Sequence, residues 1–132
     1  MKVVIAGIRY SDPETREVFN NYDAVSKAVE KSGYNITTVI SGHALGVDLL
    51  GELWALVNDV PIIDKRVTPN QWNTLGKAAG CIRNREMAEL ADAAVIVWDG
   101  KSKGTKNMIA EMNRLQKPYY LYMLNSSLEN LL

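Results

Sequence analysis

The sequence predicts an α/β fold, a single domain in which a mainly parallel five-stranded sheet lies between two layers of helices. Two observations carry this. Short, near-continuous apolar runs alternate with segments of helical period along the 132 residues, the pattern of strands buried on both faces and joined by crossover helices. Glycine-rich loops stand where these runs end and helices begin, the place where such folds bind ligands.

The elements follow in order. Val3-Val4-Ile5-Ala6 is a first buried strand, broken by Gly7. Asp12-Pro13-Glu14 reads as a helix start, with a capping carboxylate, a proline in the first turn and an acid after it. Val18, Tyr22, Val25 and Val29 would form its apolar face, and Gly33 would end it. Residues 36–40 make a second strand. Residues 46–58 make a second helix with Val47, Leu50, Trp54 and Val57 as its inward stripe. A third strand is expected over 60–67, with Pro61 at its start, where a missing N–H does least harm. Residues 68–80 read as a long polar connection punctuated by Pro69, Gly76 and Gly80; a loop of that length in a compact domain is usually functional. A short helix over 82–90, a fourth strand over 93–98, a helix over 105–116 and a last strand over 118–123 complete a domain spanning 1–124. Residues 125–132 form a tail, a further short helix whose Leu128, Leu131 and Leu132 would pack on the domain or on a neighbouring subunit. No repeat or linker interrupts the chain. The first and fourth strands should be neighbours at the point where the strand order reverses.

Composition narrows the function classes. Hydrophobic residues make up 47% of the chain, and a domain of this size buries roughly two thirds of its unfolded surface, enough for an independent core. The 15 basic and 15 acidic residues cancel. With no global field, nucleic acid is disfavoured as a partner, and any anion must be caught by a local cluster. Neutral charge with this apolar content permits a homo-oligomer, a dimer or a tetramer. The single cysteine, Cys81, excludes an intrachain disulfide and favours a cytoplasmic setting. Its plainer reading is a small buried or semi-exposed side chain rather than a reactive thiol. One histidine, His43, and no Cys/His cluster argue against a metal site, and nothing calls for a cofactor. The opening apolar run is too short for a signal peptide or a membrane span.

Four loops carry the chemistry. Gly7-Ile8-Arg9 allows a sharp turn and close approach of a ligand, with Arg9 in reach of a phosphate. Ser41-Gly42-His43-Ala44-Leu45-Gly46 offers a hydroxyl, an imidazole and flexible main-chain N–H groups. Asp48 then lies in the first helical turn, serving the dipole or a ligand hydroxyl. Gly76-Lys77 and Arg83-Asn84 bring a lysine and a guanidinium that can pair with phosphate; Arg85 points elsewhere. Trp72 either stacks on a base or on Arg83, or tucks onto the core as a lid. Asp99-Gly100-Lys101-Ser102-Lys103-Gly104-Thr105 opens a helix whose free N–H groups favour an anion, with Thr105 capping the helix, bonding the ligand or both. The expected ligand is a small nucleotide-like molecule. Asp48, Asp99, Glu86 and Glu111 are the carboxylates available for catalysis, with Asp99 best placed and Glu111 far along its helix. No G-x-G-x-x-G, P-loop or Ser-His-Asp pattern is present, and no acid follows the second strand, which disfavours a standard NAD site.

Over about residues 2–123 these motifs resemble the SLOG superfamily, a Rossmann-like group that includes LOG phosphoribohydrolases and DprA-like proteins. The likeness is greatest to the small stand-alone YspA-like group of bacteria and phages. It rests on Ala6-Gly7-x-Arg9, Ser41-Gly42-x-Ala44-x-Gly46-x-Asp48, Trp72 with Gly76 to Gly80, Arg83-Asn84-x-x-Met87, and Asp99-Gly100 with Gly104-Thr105. The group often has serine at Ile8, glycine at His43 and arginine at Leu45. The resemblance implies a binder of a nucleoside phosphate, an ADP-ribose-like molecule or a cyclic nucleotide signal. Such a binder would act as a sensor or as a sponge, as in phage counter-defence. It also implies the alternative of an enzyme acting on the N-glycosidic bond, a phosphoribohydrolase or deoxyribosyltransferase. There the catalytic glutamate stands three positions after the threonine of the Gly-Thr turn, and that position here is Met108. Asp99 or Glu111 would have to replace it.

Overall fold

The computed structural model describes residues 1–124; the tail proposed for 125–132, with Leu128, Leu131 and Leu132, lies outside the described residues. The chain runs β1 (Lys2–Gly7), β2 (Tyr10–Asp12), β3 (Glu17–Val18), α1 (Tyr22–Ser32), β4 (Thr38–Ser41), α2 (Val47–Val57), β5 (Ile62–Asp64), α3 (Pro69–Leu75), α4 (Ala78–Leu90), β6 (Ala93–Trp98), α5 (Lys103–Arg114) and β7 (Tyr119–Met123). Five strands form one sheet in the order β5-β4-β1-β6-β7, and every pairing in it is parallel. This is the expected Rossmann-like three-layer arrangement. β1 is central, and it pairs with β6 from Val3 opposite Ala93 to Gly7 opposite Val97.

The two-residue period of a strand sorts the core into two halves. Val3 and Ile5, with Val95 and Val97, face α1 and α2, where Val25, Val29, Val47 and Ala55 cover them. Val4 and Ala6, with Ala94 and Ile96, face α4 and α5, where Met87, Ala88, Met108 and Met112 cover them. Because strands buried on both faces must be apolar on both, β1 and β6 are legible as continuous runs.

Four sequence expectations need correction. The first helix does not start at Asp12. Residues 10–18 instead contain the antiparallel pair β2–β3. Asp12 Oδ1 accepts a hydrogen bond from the Glu14 N–H (2.8 Å), an Asx turn that spends the carboxylate locally. The cap of α1 is Asn21, whose Oδ1 accepts from the Ala24 N–H at 3.1 Å, and Val18 stays exposed. Gly33, in the left-handed conformation at φ 69°, ends the helix as expected.

The inward face of α2 is rotated from the stripe of large residues. Val47, Asp48, Gly51 and Ala55 are buried, whereas Val57 is 66% exposed. At Gly51 the helix lies so close to the sheet that a Cβ would stand 2.6 Å from Ile5 Cγ2. Small residues therefore mark the contact face, and Leu50 and Trp54 flank it.

The third strand is only Ile62–Asp64. Beyond it the Asp64 carboxylate accepts from the Arg66 N–H (2.9 Å) and turns the chain.

Residues 68–80 are not a loop. Thr68 Oγ1 accepts from the Gln71 N–H (3.2 Å) while Gln71 Oε1 accepts from the Thr68 N–H (2.8 Å), a complete capping box with Pro69 in the first turn. That box starts α3, and α4 then begins at Ala78. The Thr-Pro-x-Gln signal was present in the sequence.

Asn21→Ala should lower the unfolding free energy by about 1 kcal/mol, the usual worth of an N-cap. Asp12→Ala should stay within about 0.5 kcal/mol, as for a surface turn. Urea denaturation of both variants checks this, and the reverse order would restore the earlier helix start.

Candidate functional site

The carboxyl ends of β1 and β6 open into a cleft of about 290 Å³, lined in part by Gly7, Arg9, Asp48, Arg83, Asn84, Gly104 and Thr105. Backbone packing makes its rim. A Cβ on Gly7 would collide with the Val97 carbonyl and with the Val47 side chain, so only glycine lets β1 end this close to β6 and α2. Gly46, at φ 85°, presses against the Ile8 carbonyl and Arg9 Cα. The Val47 N–H donates to the Ile8 carbonyl (3.0 Å) and the Ile8 N–H to the Val97 carbonyl (3.2 Å). The first two loops are thus locked together and hold exposed Arg9 at the opening.

Arg83 comes from α4 and spans the cleft wall. Its Nη1 donates to the Gly42 carbonyl (3.2 Å) and its Nη2 to Asn84 Oδ1 (3.3 Å). Its Nε is buried without a partner. Buried Asn84 in turn donates to the Gly104 carbonyl (3.3 Å) and to Asn107 Oδ1 (2.8 Å), which ties α4 to the start of α5. Ser102, at the N-cap of α5, makes no side-chain cap to the helix; its Oγ instead accepts from the Thr105 hydroxyl at 3.2 Å. The first-turn N–H groups of α5 and the positive end of its dipole therefore stand at the cleft.

Among the described residues Asp48 is the one carboxylate lining this cleft. It is buried, and its Oδ2 accepts from the Ala44 N–H at 3.3 Å. A Cβ on Gly42 would stand 2.9 Å from both that oxygen and the Arg83 guanidinium, so the glycine lets charge approach on either side. Burial pushes the Asp48 pKa up to about 6, and Arg83, the Ala44 N–H and Arg9 pull it back only in part. Burial also lowers the Arg83 pKa, against the opposing pull of Asp48. Desolvation outweighs attraction at both groups, leaving a guanidinium short of compensation in a site open to a ligand.

The remaining predicted residues fall into three groups. Gly42, His43 and Trp72 line a neighbouring lobe of about 210 Å³ that shares Arg9, Ala44 and Arg83 with the cleft. Ser41 lies beneath these lobes, fully buried, donating to Glu52 Oε2 (2.8 Å) and accepting from the His43 N–H (3.0 Å); Gly46 acts through the rim. Others line neither lobe, although Asp99 borders an adjoining pocket that shares Arg9 and Ser102 with the cleft. Lys77 is an exposed residue at the start of α4. Asp99 Oδ1 accepts from the N–H groups of Lys101 (2.8 Å) and Ser102 (2.9 Å), shaping the loop that Gly100 turns at φ 82°. Glu86 pairs with Lys65 at 3.0 Å. Glu111 is buried beside Arg114 (2.9 Å) and Arg85 (3.6 Å) and does not line the cleft. Met108, 1% exposed, is both core and cleft floor. Sequence reasoning missed Ala44 and Ser102, which lie inside loops it had singled out, and Arg66, which had no motif to mark it.

Among the described residues no group of three or more His, Cys, Asp and Glu is placed to hold a metal ion, and no helix is long and apolar enough to cross a membrane. Comparisons with protein-family models, with curated proteins and with solved structures gave no match.

Because the folded pKa of Asp48 lies above its unfolded value of 3.8, its contribution is whole below about pH 4 and is lost as pH rises through about 6. The shift corresponds to about 3 kcal/mol. Asp48→Asn has no such proton to lose. Its stability relative to the unsubstituted protein should rise between pH 4 and pH 7, as read by denaturant unfolding at both; a constant difference would contradict the burial argument.

Proposed function

We propose that this chain binds a small nucleotide-derived ligand and holds it intact, as a sensor or as a sponge for a nucleotide signal. The observation that carries this reading is the meeting of Arg83, Arg9 and the uncapped start of α5 at one opening of the sheet. An anionic phosphate satisfies all three at once. It pairs with the Arg83 guanidinium that lines the cleft, accepts from first-turn N–H groups and completes charge that burial leaves uncompensated. Asp48 can accept a ribose hydroxyl beside it.

Cleavage of the glycosidic bond has less support. The position of the family's catalytic glutamate holds Met108, and Asp99 and Glu111 are engaged elsewhere. We place the protein in the cytoplasm, consistent with its single free cysteine. We expect a homo-oligomer, supported by exposed Leu53, Leu56 and Val57 on α2.

Arg83→Ala should weaken binding of a nucleoside monophosphate by about 1.5–3 kcal/mol, the worth of a charge-assisted contact. Titration calorimetry on variants that melt like the parent checks this, and an unchanged affinity would remove Arg83 from the site. Chromatography of nucleotides incubated with the protein should return them unchanged; free base accumulating with turnover would establish the hydrolase reading instead.

A further inference from the structure

The sheet has two edges, and the sequence treats them differently. β5, at one edge, is three residues long and ends on Asp64, which is paired with Arg66. Short length and charge both keep an edge strand from pairing with another chain. β7, at the other edge, has neither defence. Its residues are Tyr119-Tyr120-Leu121-Tyr122-Met123, without a charge or a proline, and none of the five is fully buried. Its register with β6 is unbroken from Tyr119 opposite Ala94 to Met123 opposite Trp98, so no bulge twists it away.

Two lysines flank this strand, and both are committed to their own chain. Lys117 Nζ donates to the Ala88 carbonyl (2.9 Å) and the Glu89 carbonyl (2.8 Å) at the end of α4. Lys31 Nζ lies over the Tyr122 ring, 5.6 Å from its centre. The residue type that commonly guards an edge is thus present but turned inward.

The backbone shows what the edge offers. The Pro118 carbonyl accepts from the Ala94 N–H (3.2 Å), and the Leu124 N–H donates to the Trp98 carbonyl (2.7 Å). Residues 118, 120, 122 and 124 therefore turn their polar groups to β6. The N–H and C=O of Tyr119, Leu121 and Met123 point away from the sheet. These three stand symmetrically about Leu121. A strand run antiparallel to its own copy, with the two-fold axis at Leu121, sets Leu121 opposite itself and Tyr119 opposite Met123. Every outward donor then meets an outward acceptor. The closer, non-hydrogen-bonded pairs fall between Tyr120 and Tyr122 of the second copy, an aromatic pairing that favours strand association. A symmetric contact sets like against like, so it tolerates no charge on its axis, and β7 carries none.

We propose that β7 is a docking edge for a second copy of this chain, paired antiparallel so that one sheet runs through both subunits. This rests on the homo-oligomer expected above, and it places the contact at β7 rather than on α2.

The test is light scattering of the full chain and of edge variants at micromolar concentration. The parent should give twice the chain mass of 14.7 kDa. Leu121→Lys and Leu121→Glu each set two like charges face to face, and each should raise the dimer dissociation constant by about tenfold or more. Mixed together, they should form a heterodimer, because opposite charges then meet. Met123→Pro removes an outward N–H and none that β6 uses, so it should melt like the parent and still lose the dimer. A dimer that survives Leu121→Lys and Met123→Pro, or that is lost instead on Leu56→Glu in α2, overturns the edge pairing and leaves the homo-oligomer standing. Folded Lys and Glu variants that fail to combine also overturn it. A monomeric parent overturns both; slow amide exchange at Tyr119, Leu121 and Met123 in that monomer would assign the edge to another part of the same chain.

Discussion

At the end of β1 two backbones come closer than any side chain would permit. Gly7 abuts the Val97 carbonyl, and one loop further on Gly46 abuts the Ile8 carbonyl. These contacts decide the rest of the site. They draw the end of β6, the start of α2 and the first loop into one rim, closed by the Ile8 N–H to Val97 and Val47 N–H to Ile8 hydrogen bonds. Arg9 is held at the opening as a consequence, and the start of α5, which follows β6, is brought opposite α4. A parallel sheet always places its strand ends at one edge; glycine makes that edge tight enough for its groups to act together.

Electrostatics underlies the proposed binding of an anion. Arg83 and Asp48 face each other across Gly42, yet burial moves both toward their neutral forms. Their mutual attraction does not repay the loss of water, a common outcome for charges placed in a protein interior. Asn84 adds a second constraint by bridging α4 to the Gly104 carbonyl. The guanidinium and the N–H groups of the α5 start are therefore held by one element pair and are positioned before any ligand arrives. Such preorganisation reduces the ordering cost of binding.

Much of this was legible in the sequence, for a physical reason. Val3 to Ala6 and residues 93–98 are buried on both faces, so their apolar runs admit one interpretation, and strand order followed from alternation with helices. Gly7, Arg83, Asn84, Gly104 and Thr105 were found because glycine and arginine at strand-to-helix turns have few structural reasons to be there. What failed were residues with two local uses. Asp12-Pro13 serves a turn as well as it serves a helix start, and the nearby Asn21 took the cap. Ser41 looked like a ligand hydroxyl but holds Glu52, a contact with a residue eleven positions on that no local pattern records. Asp99 and Glu111 were carboxylates in promising places whose partners, loop N–H groups and Arg114, lie nearby in the chain. The capping box at Thr68 was a plain signal outweighed by the polarity of its surroundings.

The central claim is that an anion occupies the space between Arg83 and the first turn of α5. An amide-resolved NMR titration with AMP reads this directly, since the N–H groups of Lys103, Gly104 and Thr105 and the Arg83 Nε–H each give a resonance. The account predicts that these four move together and saturate at one ligand concentration. Shifts confined to other parts of the sheet edge, with these four unmoved at saturation, would contradict it.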